Sequence, residues 1–306
     1  MCEIFWQFMG VARARTNYIY GVSAPYTLIT GASAGIGKEL ATACARRGFN
    51  ILLVALPQSG LSELSKHLQQ NFDVQVDYME CDLADPLGPR AIYDWCIGNG
   101  YDVDKLINNA GIGGSSPFET LSPLDIQAMI HLNTNVLTTI INLFIPKLKK
   151  QERAYILNVS STASFFSIPN KALYAATKAF VNVLTTSLRN ELKGTNISLS
   201  VLCPGGSTHK VDAVVRRKMS KRFSNLLHEE PATIAEAGVK GMLKEKRMIF
   251  PGWVPKMYVV TSKLLPASFA DFLVTALFRS PHEKSTPQKR KGTANPIFFT
   301  NNLPRE

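Results

Sequence analysis

Apolar and polar positions alternate along this chain in two recurring textures. Short runs dense in Val, Ile, Leu and aromatic residues occupy positions 26–30, 50–55, 74–80, 103–107, 155–159 and 197–202. Between them lie longer stretches, at 38–47, 61–70, 89–97, 123–150 and 173–193, in which apolar residues recur every three to four positions. The first texture predicts β-strands, the second amphipathic helices. Strands separated by helices imply a parallel sheet covered on both sides, hence an α/β fold class. A further helix is expected from Pro231, with proline in its first turn, and a last strand over 248–250.

The connections after the strands are where candidate chemistry gathers. Strand one runs into Gly31-Ala-Ser33-Ala-Gly35-Ile36-Gly37 and then a helical pattern. Strand, glycine-rich turn and helix is the context in which backbone N–H groups and a helix N-terminus hold a pyrophosphate. The spacing is G-x3-G-x-G rather than G-x-G-x-x-G, and an ordinary βα turn is the competing reading. Asp82-Leu83 follows the third strand, Asn108-Asn109-Ala110-Gly111 the fourth, Ser160-Ser161 the fifth and Cys203-Pro204-Gly205 the sixth. Ligands of open α/β sheets bind beyond the carboxyl ends of the strands, and every one of these motifs falls at such an end.

Tyr174-Ala-Ala-Thr-Lys178 adds a proton-transfer pair. Residues four apart share one face of a helix. A phenol titrates near 10, and a neighbouring ammonium lowers that value, which would make Tyr174 a general acid or base. Taken alone, Tyr-x-x-x-Lys is common by chance. His131 and His209 lack partners at metal-ligand spacing, so no metal site is expected.

Composition narrows the partners. The 306 residues carry 34 basic and 23 acidic side chains, a net charge of +11. Much of the excess falls in 210–222 and 279–291, neither of which carries a nucleic-acid-binding motif. Solvated surface, facing anionic lipid or a phosphorylated cofactor, is the expectation, with no nucleic acid. The five cysteines show no pairing or metal spacing, and Cys44, Cys81 and Cys203 sit in apolar runs as expected buried thiols of a reducing compartment. Residues 4–12 are apolar but preceded by Glu3 and followed by Arg13 and Arg15, unlike a secretory signal. No run of 18 uncharged apolar residues occurs, so a spanning helix is not expected.

Jointly these pieces resemble the short-chain dehydrogenase/reductase family. The resemblance rests on residues 30–37, Asp82, residues 108–111, Thr134-Asn135, Ser160-Ser161, Tyr174-x-x-x-Lys178 and Pro204-Gly205 with Thr208, in the family's order over about 26–208. Ser161 precedes Tyr174 by 13 positions, and Asn135 precedes Ser161 by 26. The resemblance implies a Rossmann-like doubly wound parallel sheet. It implies a carbonyl–alcohol oxidoreductase in which Tyr174 exchanges the proton, Lys178 lowers the tyrosine pKa and bonds the nicotinamide ribose, Ser161 holds the substrate oxygen and Asn135 holds a relay water. Asn133 competes for that last role; two positions apart on a helix, only one of them can serve, and Thr134-Asn135 suits the family register better. The implied cofactor-binding set is Gly31, Ser33, Gly35, Ile36, Gly37, Asp82, Leu83, Asn109, Ala110, Gly111, Tyr174, Lys178, Pro204, Gly205 and Thr208. The family's pairing of the helices that hold Asn135 and Tyr174 implies a homodimer or homotetramer.

NADP(H) is favoured over NAD(H). An acid about 20 residues beyond the glycines would bond the ribose 2′-OH, and strand two ends in Val54-Ala55-Leu56-Pro57 without one. The family's usual basic partners are absent too, Ala34 and Leu56 standing in their place, with Gln58, Ser59 and Lys38 as candidate substitutes. Residues 1–24 are expected to be an N-terminal arm and 25–250 the nucleotide-binding domain, including a basic amphipathic lid over 209–228. Residues 251–280 are expected to form an apolar helical extension, and 281–306 a disordered tail. Residues 253–278 either close an apolar pocket or touch a membrane peripherally, and both imply a small lipophilic carbonyl or alcohol substrate and a cytoplasmic, in the second case membrane-associated, protein. The contrasting function class is a catalytically silent nucleotide-binding sensor or scaffold of the same fold.

Overall fold

The computed structural model describes residues 24–207 and 228–252. Nearly all of the expected N-terminal arm, Thr208, the lid up to residue 227, and everything from 253 onward lie outside the described residues. In chain order the elements are β1 (Tyr26–Thr30), α1 (Gly35–Ala45), β2 (Asn50–Ala55), α2 (Leu61–Asn71), β3 (Val76–Glu80), α3 (Gly88–Gly98) and β4 (Val103–Asn108). They continue with α4 (Pro123–Ile130), a π-helical turn (His131–Val136), α5 (Leu137–Leu148), β5 (Ala154–Val159), α6 (Ala172–Glu191) and β6 (Ile197–Leu202). Two-residue strands β7 (Gly206–Ser207) and β8 (His228–Glu229), helix α7 (Pro231–Leu243) and β9 (Met248–Ile249) follow, and short 3-10 turns lie at Phe118–Thr120 and Thr162–Phe165.

Seven strands form one sheet in the order β3-β2-β1-β4-β5-β6-β9, every neighbouring pair parallel. The chain therefore runs outward from β1 to β3, then crosses back to place β4 on the other side of β1. That reversal opens a crevice between the carboxyl ends of β1 and β4, the place where such sheets take ligands. It is a doubly wound, Rossmann-like α/β fold.

Alternate strand residues feed two cores. Ile29, Ile51, Leu53, Leu157 and Leu202 pack on one face against Leu40 and Cys44 of α1, Leu61 and Leu68 of α2, and Ile234, Val239 and Met242 of α7. Leu28, Leu52, Leu106, Ile156 and Leu199 pack on the other against Ile92 and Cys96 of α3, Ile140, Ile141 and Phe144 of α5, and Val181 of α6. Each large side chain so buried contributes roughly 1.5–3 kcal/mol, and burial on both faces is why these strands read as unbroken apolar runs. Cys44 and Cys203 are buried as expected, whereas Cys81 is half-buried and Cys96 is buried in its stead. Cys81 sits just past β3, the edge strand, and so has a neighbouring strand on one side only.

Helices α4 and α5 with the π turn make one continuous 26-residue helix, Pro123–Leu148, the one described helix long and apolar enough to cross a bilayer. Its apolar stripe, Met129, Val136, Leu137, Ile140, Ile141, Phe144 and Leu148, is buried in the protein core. A capping box holds its start: Ser122 Oγ accepts from Asp125 N at 3.1 Å while Asp125 Oδ2 accepts from Ser122 N at 3.3 Å. At the far end of the sheet, β7 and β8 pair in parallel, Gly206 with His228 and Ser207 with Glu229, so the flanks of the 208–227 segment are tied together just past β6.

Candidate active site

The glycine turn after β1 is built for close backbone approach. Gly31 has φ +64°, and a Cβ on it would sit 2.9 Å from Ala110 Cα. At Gly37 a Cβ would lie 2.0 Å from Gly31 O and 2.5 Å from Asn109 Nδ2, so no other residue fits without moving main chain. Asn109 locks β1 to β4 across the crevice, its Nδ2 donating to Thr30 O at 3.1 Å and Gly31 O at 2.9 Å. Thr30 Oγ1 in turn accepts from the amides of Asn109 and Ala110, both at 3.1 Å. Ala34, at the N-cap of α1, makes no side-chain cap bond, and the first turn holds no acid. The first amides of α1 are thus left for an anion at the positive end of the helix. A bare-backbone cradle facing free amides fits a dinucleotide pyrophosphate.

The second cluster lies beyond β5 and β6. Ser160 N donates to Leu202 O and Thr162 N to Pro204 O, each at 2.8 Å, which binds the two strand ends together. Ser160 Oγ donates to Lys178 O at 2.9 Å and seats α6 on that end. Tyr174 and Lys178 are then one helical turn apart, with Tyr174 hydrogen-bonded to the Ser161 side chain. The Tyr174 ring packs on the apolar cluster of Ala163, Ile168 and Ala175 beside Phe166. Burial pushes its phenol above the usual value of 10.0, and a hydrogen bond with the Ser161 side chain pulls the other way. This departs from the lowered value expected from the spacing alone. Lys178 is buried, its Nζ 5.9 Å from the centre of the Tyr174 ring and donating to Val159 O at 3.0 Å. Desolvation of the phenol is the larger effect and the Ser161 hydrogen bond the smaller.

Asparagine placement overturns the expected register. Asn135 is exposed, its Oδ1 accepting only a 3.3 Å contact from Thr134 Oγ1. The structure does not bring it to Lys178. Asn133 is 1% exposed and occupies that place. Its Oδ1 accepts from Ile112 N at 2.9 Å, and its Nδ2 donates to Ile112 O at 2.9 Å and Thr177 Oγ1 at 3.0 Å. A Cβ on Gly111 would fall 2.8 Å from Asn133 Oδ1 and 3.4 Å from Lys178 Nζ, so all three converge on one small volume. The signal was present in the periodicity: Asn133 lies on the buried stripe with Met129, Val136 and Leu137, and Asn135 lies off it. A π turn at this point, one residue wider than an α turn, is a feature that often accompanies a functional site.

The remaining expected residues distribute around the crevice. Asp82 is exposed at the end of β3 and caps its own turn, Oδ1 accepting from Ala84 N at 2.8 Å, while Leu83 is buried. Ser33, Gly35 and Ile36 lie in the glycine turn and at the start of α1. Pro204 is buried and Gly205 half-buried beside Ser161. Thr30 stands in the glycine motif and Thr177 between Tyr174 and Lys178, but their bonding roles were not read from the sequence, because a threonine in a strand or helix carries no signature until its partner is known.

A family model, short chain dehydrogenase, matches residues 25–220. Very-long-chain 3-oxoacyl-CoA reductase-B of Danio rerio is 27% identical over 277 residues, covering 87% of this chain and 84% of that protein. Ketoacyl reductase HetN of a Nostoc species is 28% identical over 227 residues, covering 70% and 74%. Among solved structures, a short-chain dehydrogenase from Sphingobium yanoikuyae in complex with NADPH superposes with a TM-score of 0.67 at 25% identity, over 87% of this chain and 100% of that one. A short chain dehydrogenase/reductase from Burkholderia phymatum in complex with NAD shares the fold, with a TM-score of 0.68 at 19% identity. With its glycine cradle, its parallel sheet and this match across well over half of its length, the chain belongs to the short chain dehydrogenase family and is an NAD(P)-dependent oxidoreductase.

Proposed function

We propose that this protein reduces the keto group of a lipophilic substrate, with a 3-oxoacyl thioester as the favoured class, and that Tyr174 is its proton donor. One observation carries the reading: Tyr174 is hydrogen-bonded to the Ser161 side chain on an apolar cluster, with buried Lys178 one turn away. A reduced pyridine nucleotide, held at the glycine cradle, supplies the hydride when bound. The residues supply the rest. Ser161 and Tyr174 converge as hydrogen-bond donors on the carbonyl oxygen, where negative charge develops. A phenol at or above its usual value is protonated at neutral pH, the state required of an acid in the reducing direction. Lys178 sits between Val159 O, the Tyr174 ring and Gly111, placed to bind the nicotinamide ribose and to pass on the replacement proton. Asn133, in place of Asn135, fixes the 111–113 segment against α6.

The lipophilic substrate is supported by the apolar cluster around Tyr174, by the Phe165–Phe250 ring pair, with centroids 5.8 Å apart, and by relatives that are named 3-oxoacyl-CoA and ketoacyl reductases. NADP(H) is favoured because β2 ends without an acid and a 25% identical neighbour carries NADPH. A homodimer is supported by an apolar stripe on the outer face of α6, where Phe180 is 42% and Val183 65% exposed. The test is turnover of 3-oxoacyl thioesters and simple ketones with NADPH, wild type against Tyr174→Phe. Removal of the acid is expected to lower kcat by about 10²–10⁴-fold while nucleotide binding persists. Equal turnover by both proteins refutes the assignment.

A further inference from the structure

We propose that Glu80, at the end of β3, supplies the negative charge that β2 lacks, and so sets how strongly the adenosine end of the nucleotide site penalises a 2′-phosphate. The position about 20 residues past the glycines, where an acid would read the ribose, falls in the turn Leu56-Pro57-Gln58-Ser59 and is uncharged. The neighbouring strand fills the gap. Glu80 pairs with Ala55 in the sheet register, and its Oε1 accepts from Gln58 N at 3.1 Å. Gln58 has φ 58°, a left-handed conformation that non-glycine residues seldom adopt. The carboxylate therefore anchors the turn in a conformation the sequence alone would not choose.

No cation offsets it. Among the described residues Glu80 belongs to no ion pair, and neither does Lys38, the exposed lysine of α1 that could meet a 2′-phosphate. Ser59, the other candidate phosphate donor, spends its hydroxyl on Leu56 O at 2.5 Å. A phosphate arriving at this turn meets this carboxylate as well as Lys38, so Glu80 narrows the margin by which NADP(H) is favoured without reversing it, while a ribose 2′-OH meets an acceptor. The site is exposed and solvent screens the repulsion, so the effect is of moderate size.

This inference rests on the nucleotide-binding reading, and the experiment separates the two. NADPH and NADH are titrated against the full chain by calorimetry, at low salt and at 1 M salt, for wild type, Glu80→Gln and Glu80→Ala. Glu80→Gln keeps an acceptor for Gln58 N and removes the charge. The ratio Kd(NADPH)/Kd(NADH) is expected to fall by about 3- to 5-fold at low salt, and by less at 1 M salt. A ratio within twofold of wild type overturns the inference. So does an equal loss of both affinities in Glu80→Ala with no change in Glu80→Gln, which would make the residue a turn anchor only. Failure of the wild type to bind either nucleotide would instead overturn the function proposed above.

Discussion

Asn133→Ala and Asn135→Ala, two positions apart on one helix, should give opposite results. Asn133 is 1% exposed and makes three hydrogen bonds, two to the backbone of Ile112 and one to Thr177 Oγ1. Truncation strands the Ile112 amide and carbonyl; Thr177 still donates to Tyr174 O at 2.8 Å and loses only an accepted bond. A buried polar group left unpaired costs about 1–3 kcal/mol. Ile112 is half-buried, so a total of about 2–4 kcal/mol is expected. For a domain of this size that lowers Tm by roughly 5–15 °C. Freed from Asn133, the 111–113 backbone no longer holds its place beside Lys178, and a displacement of about 1 Å at such a site costs on the order of 10²-fold in kcat/KM. Asn135 is exposed with one 3.3 Å contact, so its truncation should stay within about 0.5 kcal/mol and leave turnover near wild type. Thermal unfolding and steady-state ketone reduction measure both. Asn133→Asp, equal in size but unable to donate to Ile112 O and Thr177, should lose activity while losing less stability than the alanine variant. Full activity in Asn133→Ala alongside an inactive Asn135→Ala would refute the reasoning.

Gly37→Ala drives a Cβ to 2.0 Å from Gly31 O; nucleotide affinity measured by calorimetry should fall by at least 10²-fold, and wild-type affinity in this variant would contradict the cradle. The thiols of Cys44, Cys96 and Cys203 are pushed up by burial from 9.0 to about 12. Because the folded values lie above the unfolded ones, stability is intact below pH 9 and declines as pH rises from there toward 12, the unfolded thiols ionising first. Urea unfolding at successive pH values should show this decline, less steep in Cys44→Ala, and a flat profile from pH 9 to 11 would count against it. Phe180→Glu with Val183→Asp, on the exposed stripe of α6, should halve the mass seen by sedimentation with little change in Tm; an unchanged mass would show that this stripe is not the subunit interface.

The alternation of strand and helix, the parallel α/β sheet and the order of the strand-end motifs were legible in the residues alone. The bounds of β1, β2 and β6 match the apolar runs, because a strand buried on both faces writes its burial directly as consecutive apolar residues. The glycine turn was legible for a similar local reason: main chain that must approach main chain excludes Cβ, and glycine records it. Periodicity places Asn133 on the buried stripe, but what that asparagine meets there, Ile112, Thr177 and the neighbourhood of Lys178, comes from the folded arrangement. The π turn at His131–Val136 and the partners at Ile112 and Thr177, 21 and 44 residues away from Asn133, exist only once the helix lies against α6. The same holds for Tyr174, where a four-residue spacing foretells a lowered pKa and burial raises it instead, and for Glu80, which meets Gln58 across 22 residues through strand pairing. Periodicity and backbone sterics act within a few residues of their origin. Desolvation and charge placement depend on whatever the fold brings near, and a linear pattern holds no measure of that distance.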